Sequence, residues 1–198
     1  EEALISAETL TIEFPNNPNL LNFIGIIYKA LGKYNEAISK YKAAVELKPD
    51  YAEAQNNLGN ALCDLGKHEK AISCYNKAIE LKVDYTEAYY NLGNTLNELN
   101  RYEEAIIVLN KSIELKPDFP EAYNNLGNAL NELDRYEEAI IFLNKSIELK
   151  LDFSEAYNNL GIALNELSRH EEAVVCLKKA LELKPNFAEA YYNLSTLL

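Results

Sequence analysis

Asparagine recurs along this chain at a fixed interval. Asn57, Asn91, Asn125, Asn159 and Asn193 stand 34 residues apart, and Asn60, Asn94 and Asn128 follow the first three at a distance of three. Carboxylates keep the same beat. Glu53, Glu87, Glu121, Glu155 and Glu189 come four residues before these asparagines, and Asp64, Glu98, Glu132 and Glu166 come seven residues after the first four. At about 100° per residue, all these places fall in one arc of a helix. A carboxamide offers a donor and an acceptor side by side, matching the C=O and N–H of a peptide bond. A row of them can hold an extended polypeptide by its backbone with little selection of side chains. Asn is a poor mid-helix residue because its side chain competes for backbone hydrogen bonds, so its regular use asks for a reason. Two readings stand: the amides bind a ligand, or they bond to neighbouring helices in an array of duplicated repeats.

Nothing else in the chain points to bond-making chemistry. No Ser/His/Asp constellation, phosphate loop or dinucleotide motif occurs. His68 and His170 stand where other copies carry Tyr34, Tyr102 and Tyr136, and read as substitutes for a packing aromatic. The Glu pairs at 103–104, 137–138 and 171–172 open helices and suit the helix dipole. Cys63, Cys74 and Cys176 form no Cys-x-x-Cys, so neither a disulfide framework nor a zinc site is expected, and a reducing, cytoplasmic setting is favoured. No metal or other cofactor is expected. A net charge of −12 argues against nucleic acid and anionic membrane as partners. No apolar run approaches the roughly 20 residues needed to span a bilayer.

The elements that position the asparagines follow from the period. With Gly25, Gly59, Gly93, Gly127 and Gly161 at position 8, complete repeats run over 18–51, 52–85, 86–119, 120–153 and 154–187. Residues 1–17 fit the second helix of a preceding repeat and 188–198 the start of a further one, so the chain is expected to be a single array cut from a longer protein. In the fourth repeat the apolar residues Tyr123, Leu126, Gly127 and Leu130 predict a helix over about 120–133, opened by Pro120. After a turn at Asp134-Arg135, a second helix is predicted over about 136–150. Pro-Asp pairs such as Pro49-Asp50 and Pro117-Asp118 end one repeat, with Asp expected to cap the next helix. Gly at 8 and Ala at 20 (Ala139) remove bulk where the two helices of a hairpin approach. A single hairpin cannot bury its apolar face alone, but stacked neighbours can cover it.

A small residue at 8, Ala at 20, a small residue at 27 (Ser146), Pro at 32 (Pro117), an aromatic at 4 (Tyr123) and Leu at 7 (Leu126) resemble the tetratricopeptide repeat over essentially the whole chain. Gln55 at position 4, and Val83 and Leu151 at 32, are local departures. The resemblance implies an all-α solenoid, a right-handed superhelix of antiparallel helix-turn-helix repeats whose first helices line a concave groove. The asparagine row then is similar to the ladder in the tetratricopeptide region of O-linked N-acetylglucosamine transferases and to bacterial tetratricopeptide proteins. It implies a scaffold or interaction module that binds a neutral or basic polypeptide through Asn57, Asn60, Asn91, Asn94, Asn125, Asn128, Asn159 and Asn193. Asp64, Glu98, Glu132 and Glu166 form its acidic fringe. Repeats that clamp a C-terminal carboxylate use Lys or Arg at 2, 5 and 6; here those positions hold Glu, Asn or Tyr, and Asn, which disfavours that mode. Two alternatives remain open: the recognition segment of a larger glycosyltransferase or sulfotransferase, and a self-assembly module. For the latter, position 22 changes from Ser39 and Ser73 to Ile107, Ile141 and Val175, and position 23 brings Phe142, so an exposed apolar contact surface is expected there.

Overall fold

The computed structural model describes residues 9–10 and 13–197. Among these, eleven helices follow one another without a strand: α1 Pro18–Ala30, α2 Tyr34–Leu47, α3 Ala52–Asp64, α4 His68–Leu81, α5 Thr86–Glu98, α6 Tyr102–Leu115, α7 Pro120–Glu132, α8 Tyr136–Leu149, α9 Ser154–Glu166, α10 His170–Leu183 and α11 Ala188–Ser195. They fall into two compact units divided between Thr95 and Leu96. In the first unit α1 packs along α2 and α3 along α4, and α2 also packs on α3. In the second, α7 pairs with α8 and α9 with α10, while α6 packs on α7, α8 on α9 and α10 on α11. Each helix pair is one 34-residue repeat, and each unit is a stack of such hairpins.

The close approach inside the hairpins α1/α2, α3/α4, α7/α8 and α9/α10 is sterically required. A Cβ placed on Gly25 or Gly59 would lie 2.5 Å from the ring of Tyr41 or Tyr75. One on Gly127 would lie 2.5 Å from Leu143 Cγ, and one on Gly161 2.7 Å from Leu177 Cγ. Position 24 of the second helix therefore packs directly on the backbone of position 8 in the first. Ala37, Ala71, Ala105, Ala139 and Ala173, at position 20, are fully buried. The core then continues between hairpins: Leu177 and Ala180 of α10 meet Ala190 of α11, with Tyr157, Leu181 and Phe187 around them. In the first unit Leu21, Ala44 and Ala54 do the same.

Helix ends differ from expectation in one respect. Asn17 caps α1, its side chain accepting from the N–H groups of Asn19 and Leu20. The expected Asp caps are not formed. Tyr51, Phe119, Phe153 and Phe187 occupy the N-cap positions of α3, α7, α9 and α11, without side-chain cap bonds. The aromatic serves packing instead, and the Lys three residues before it lies over its ring, 4.4 Å from the centroid at Lys150–Phe153 and Lys184–Phe187. Position 15 turns each hairpin in a left-handed conformation. Gly32 and Gly66 take it in the first unit, while Asn100, Asp134 and Ser168 hold φ of 57°, 56° and 59° in the second. Asn and Asp tolerate this region; Ser is a poorer fit.

Leu126 is fully buried, so Leu126→Ala is expected to cost about 2–5 kcal/mol in chemical denaturation. Gly127→Ala is also expected to destabilise, because the added methyl overpacks against Leu143 by more than the improved helix propensity returns. At the turn the sign reverses. Ser168→Gly is expected to raise stability by about 1 kcal/mol, whereas Gly66→Ala is expected to lower it.

Candidate functional site

The arc opposite the core on the first helices is the more accessible one, and the predicted residues lie on it. Glu53, Asp64, Glu87, Asn94, Glu98, Glu132 and Glu166 are exposed, and Asn57, Asn60, Asn91, Asn125, Asn128 and Asn193 are half-buried. Asn159 is the exception, at 9% exposure. Along the second unit α7 lies beside α9, and α9 beside α11, so equivalent places on these helices are neighbours.

The position 6 asparagines reach backwards into the stack. Asn57 Nδ2 donates to Asn22 Oδ1 at 3.1 Å, and Asn91 to Asn56 at 3.0 Å. In the second unit Asn159 donates to Asn124 at 3.0 Å and Asn193 to Asn158 at 2.9 Å. Each bond joins position 6 to position 5 of the preceding repeat. The position 5 side chains are buried, Asn158 to 1% and Asn22 to 2% exposure. Asn158 Nδ2 in turn donates to Glu189 at 3.0 Å, and Asn22 Nδ2 to Glu53 at 3.4 Å. Carboxamide and carboxylate thus form an inter-repeat staple of Asn, Asn and Glu. Each linked position 6 amide spends one N–H on this bond, which leaves its second N–H and its carbonyl oxygen outside it. The doublets Asn56-Asn57, Asn124-Asn125 and Asn158-Asn159 were the available signal for position 5, because partners one residue out of register across a 34-residue period must be adjacent in sequence.

Position 12 adds a second contact that the residue pattern did not show. Asn97 Nδ2 donates to the main-chain oxygen of Asn125 at 3.0 Å, and Asn131 Nδ2 to that of Asn159 at 2.9 Å. These bonds brace the backbone of the residues that carry the candidate amides. Position 9 depends on the core beneath it. Tyr75 Oη donates to Asn60 Oδ1 at 2.8 Å, whereas Leu143 lies in the equivalent place under Asn128 and has no hydroxyl. Asn60 is therefore used from below, and Asn128 is not. Ile162 replaces Asn at this position in α9.

The carboxylates at position 2 are structural partners as much as groove residues. Lys150 Nζ lies 3.1 Å from Glu121, and Lys184 Nζ 2.8 Å from Glu155. Burial raises the Glu155 carboxyl, but hydrogen bonds from Lys184 and Ser154 outweigh it and hold the group below the ordinary carboxylate range. On the fringe, Asp64 pairs with Lys29 at 3.1 Å and Glu132 accepts from Tyr102 Oη at 3.2 Å. Glu104, Glu138 and Glu172, expected as dipole partners, pair with Arg101, Arg135 and Arg169.

The remaining candidates sort by burial. Ile107, Ile141 and Val175 are 70%, 65% and 68% exposed, while Phe142 is half-buried and stacked on Tyr123. Phe142 therefore belongs to packing between helices and not to the exposed row. His170 is exposed rather than packed, with Nδ1 3.0 Å from Asn165 Oδ1. The three thiols are free. Burial pushes Cys74 up to about 11 and also raises Cys176, so both stay protonated at neutral pH and neither is an activated nucleophile. No group of three or more His, Cys, Asp or Glu among the described residues is placed to hold a metal ion, and no helix there is long and apolar enough to cross a membrane.

Sequence profiles of the tetratricopeptide repeat match residues 50–118, 108–141 and 154–187, and a TPR repeat profile matches 25–63. No curated protein matches the chain. Among solved structures, MamA is 31% identical over 84% of this chain and 97% of its own, with a TM-score of 0.76. YrrB, described as a TPR protein with an unusual peptide-binding site, is 21% identical, with 97% and 98% covered and a TM-score of 0.79. A thermophilic TPR protein of Thermus thermophilus is 21% identical, with 91% and 98% covered and a TM-score of 0.69. The chain belongs to the tetratricopeptide-repeat family, an α-solenoid class whose members serve in general as non-catalytic interaction or scaffold modules.

Proposed function

We propose that this chain binds an extended polypeptide on the carboxamide arc of its first helices, holding it by the backbone. The observation that carries the reading is the braced state of the position 6 amides. Asn159 and Asn193 are each fixed by one amide bond to the preceding repeat, and Asn131 also bonds to the Asn159 backbone. A carboxamide already locked in one orientation loses little entropy when it receives a ligand, so its remaining donor and acceptor are pre-organised. Asn125 and Asn128 extend the same arc on α7. Peptide binding is stated for YrrB, which has the same fold, and the same use of the fold is proposed here on different residues. Glu98, Glu132 and Glu166 are exposed along the edge, and favour neutral or basic peptides over acidic ones. Pure self-assembly leaves the spare amide valences unused, whereas the recognition segment of a larger enzyme would use them in this same way.

The test is to select binders from a library of unstructured peptides and measure them by calorimetry. Asn128→Ala is expected to weaken binding by a few-fold, as one neutral hydrogen bond of about 0.5–1.5 kcal/mol is lost, and to leave thermal stability nearly unchanged. Asn159→Ala is expected to weaken binding and also to cost about 1–3 kcal/mol of stability, because it strips the buried Asn124 Oδ1 of its donor. N-methylation of alternate peptide bonds in the ligand is expected to abolish binding, with only a weak effect of salt. Unchanged affinity for both the N-methylated ligand and an Asn125/Asn128/Asn159 triple Ala variant would show that the asparagines are structural only.

A further inference from the structure

We infer that the second-helix face of the second unit is a homodimer interface, in which two copies of this chain meet about a two-fold axis with their second helices antiparallel. The centre of the face is apolar. Ile107 on α6, Ile141 on α8 and Val175 on α10 occupy position 22 in three successive repeats and are each about two-thirds exposed. Beside Val175 opens a cleft of about 270 Å³ between α8 and α10, floored by Leu160 and Leu164 of α9 and edged by Ile140 and Cys176. Such a cleft fits an aliphatic side chain. The row belongs to the second unit alone, because the first carries Ser39 and Ser73 at position 22, and Ser73 Oγ donates to Glu69 O within its own helix.

Charge identifies the occupant as a second copy. One turn before the apolar residue, at position 18, stand Glu103, Glu137 and Glu171, all exposed and in no ion pair among the described residues. One turn after it, at position 26, stand Lys111, Lys145 and Lys179. These places are four residues, about 6 Å, to either side of position 22. A two-fold axis through Ile141 brings position 18 of each copy over position 26 of the other. With that axis lying in the interface along the row of position 22, Glu137 faces Lys145 of the second copy, Glu103 faces its Lys111, and Glu171 faces its Lys179. Lys111, Lys145 and Lys179 now make exposed pairs with Glu114, Glu148 and Glu182. Those pairs contribute little and can be exchanged. A face that is apolar on the axis, acidic on one side and basic on the other complements itself, which is the condition for an isologous dimer. It also explains how molecules of net charge −12 can approach: each Glu at position 19 on this face is already neutralised by its Arg. The patch is small, so the dimer is weak, with a dissociation constant on the order of 100 μM.

Sedimentation velocity on the 198-residue chain, from low micromolar to about 1 mM, reads the result. The expected outcome is a concentration-dependent monomer–dimer equilibrium. Ile107→Ser with Ile141→Ser installs the residue that Ser39 and Ser73 already supply at this position, so folding is preserved, and is expected to weaken dimerisation about tenfold or more. Glu137→Lys alone and Lys145→Glu alone are each expected to weaken it several-fold, since each disrupts two symmetry-related contacts, and the double variant Glu137→Lys/Lys145→Glu is expected to return to within about twofold of the parent. A parent that is monomeric throughout, or a dimer insensitive to the Ser variants, would overturn the interface. A double charge swap no better than the single changes would overturn the antiparallel arrangement. The peptide-binding reading is measured separately and survives either failure.

Discussion

The approach of position 24 to position 8 is the contact on which the rest is built. A glycine in mid-helix costs about 1 kcal/mol against alanine, and the chain accepts that cost because any Cβ there would overlap the residue above it. What packs on the glycine then sets what happens at the surface. In the first unit Tyr41 and Tyr75 do so, and their hydroxyls must find partners through the hairpin. Tyr75 finds Asn60. Tyr41, under Ile26, finds none among the described residues, and burial raises its hydroxyl pKa. In the second unit Leu143 and Leu177 take the place and make no demand on position 9. A core substitution thereby changes which surface amides are committed.

The asparagines satisfy both readings of their periodicity. Buried position 5 amides need partners, since a lone buried polar group costs about 1–3 kcal/mol, and position 6 of the next repeat supplies one. A carboxamide has more hydrogen-bonding capacity than one such bond consumes. The inter-repeat bond therefore orients the group without exhausting it. Asparagine at this place has a structural justification that needs no ligand, and the same geometry is what a backbone-reading ligand requires. Glutamate at position 2 is divided in the same way, between the staple at Glu53 and Glu189 and the lysine pairs at Glu121 and Glu155.

The helices, their order and the buried arc were legible because the period repeats one simple pattern: Leu126, Gly127, Leu130 and Ala139 are all buried. Helix ends were legible to about one residue, but the cap was not. An aromatic at position 34 looks like a poor N-cap, and its packing role beneath Lys150 or Lys184 depends on a neighbour 3 residues away that propensity does not weigh. The position 6 asparagines were found, whereas their position 5 partners were passed over, because a helical wheel ranks residues within one helix and these bonds run between helices. Phe142 misled for a similar reason: by position it belongs with exposed Ile141, but its larger ring folds back onto Tyr123.

Charge separates the two faces of each repeat. The first helices α3, α5, α7 and α9 carry acids at positions 2 and 13 and no base, α1 carries Lys29 and no acid, and the second helices mix Glu, Lys and flanking Arg. The carboxamide arc thus lies in an acidic field, which repels acidic chains, a second copy of the same arc included. The second-helix face sets acids and bases side by side around an apolar row. Positions 2, 6, 9 and 13 on the first helices share no residue with 18, 22 and 26 on the second, so one face can be occupied while the other stays open. Two copies joined through their second helices would present two carboxamide arcs, and a polypeptide with two binding stretches would then gain from effective concentration without any new contact. Weak self-association and weak backbone recognition are each poor scaffolding devices alone. Coupled in this way, they would give a module whose hold on such a polypeptide exceeds what either face supplies.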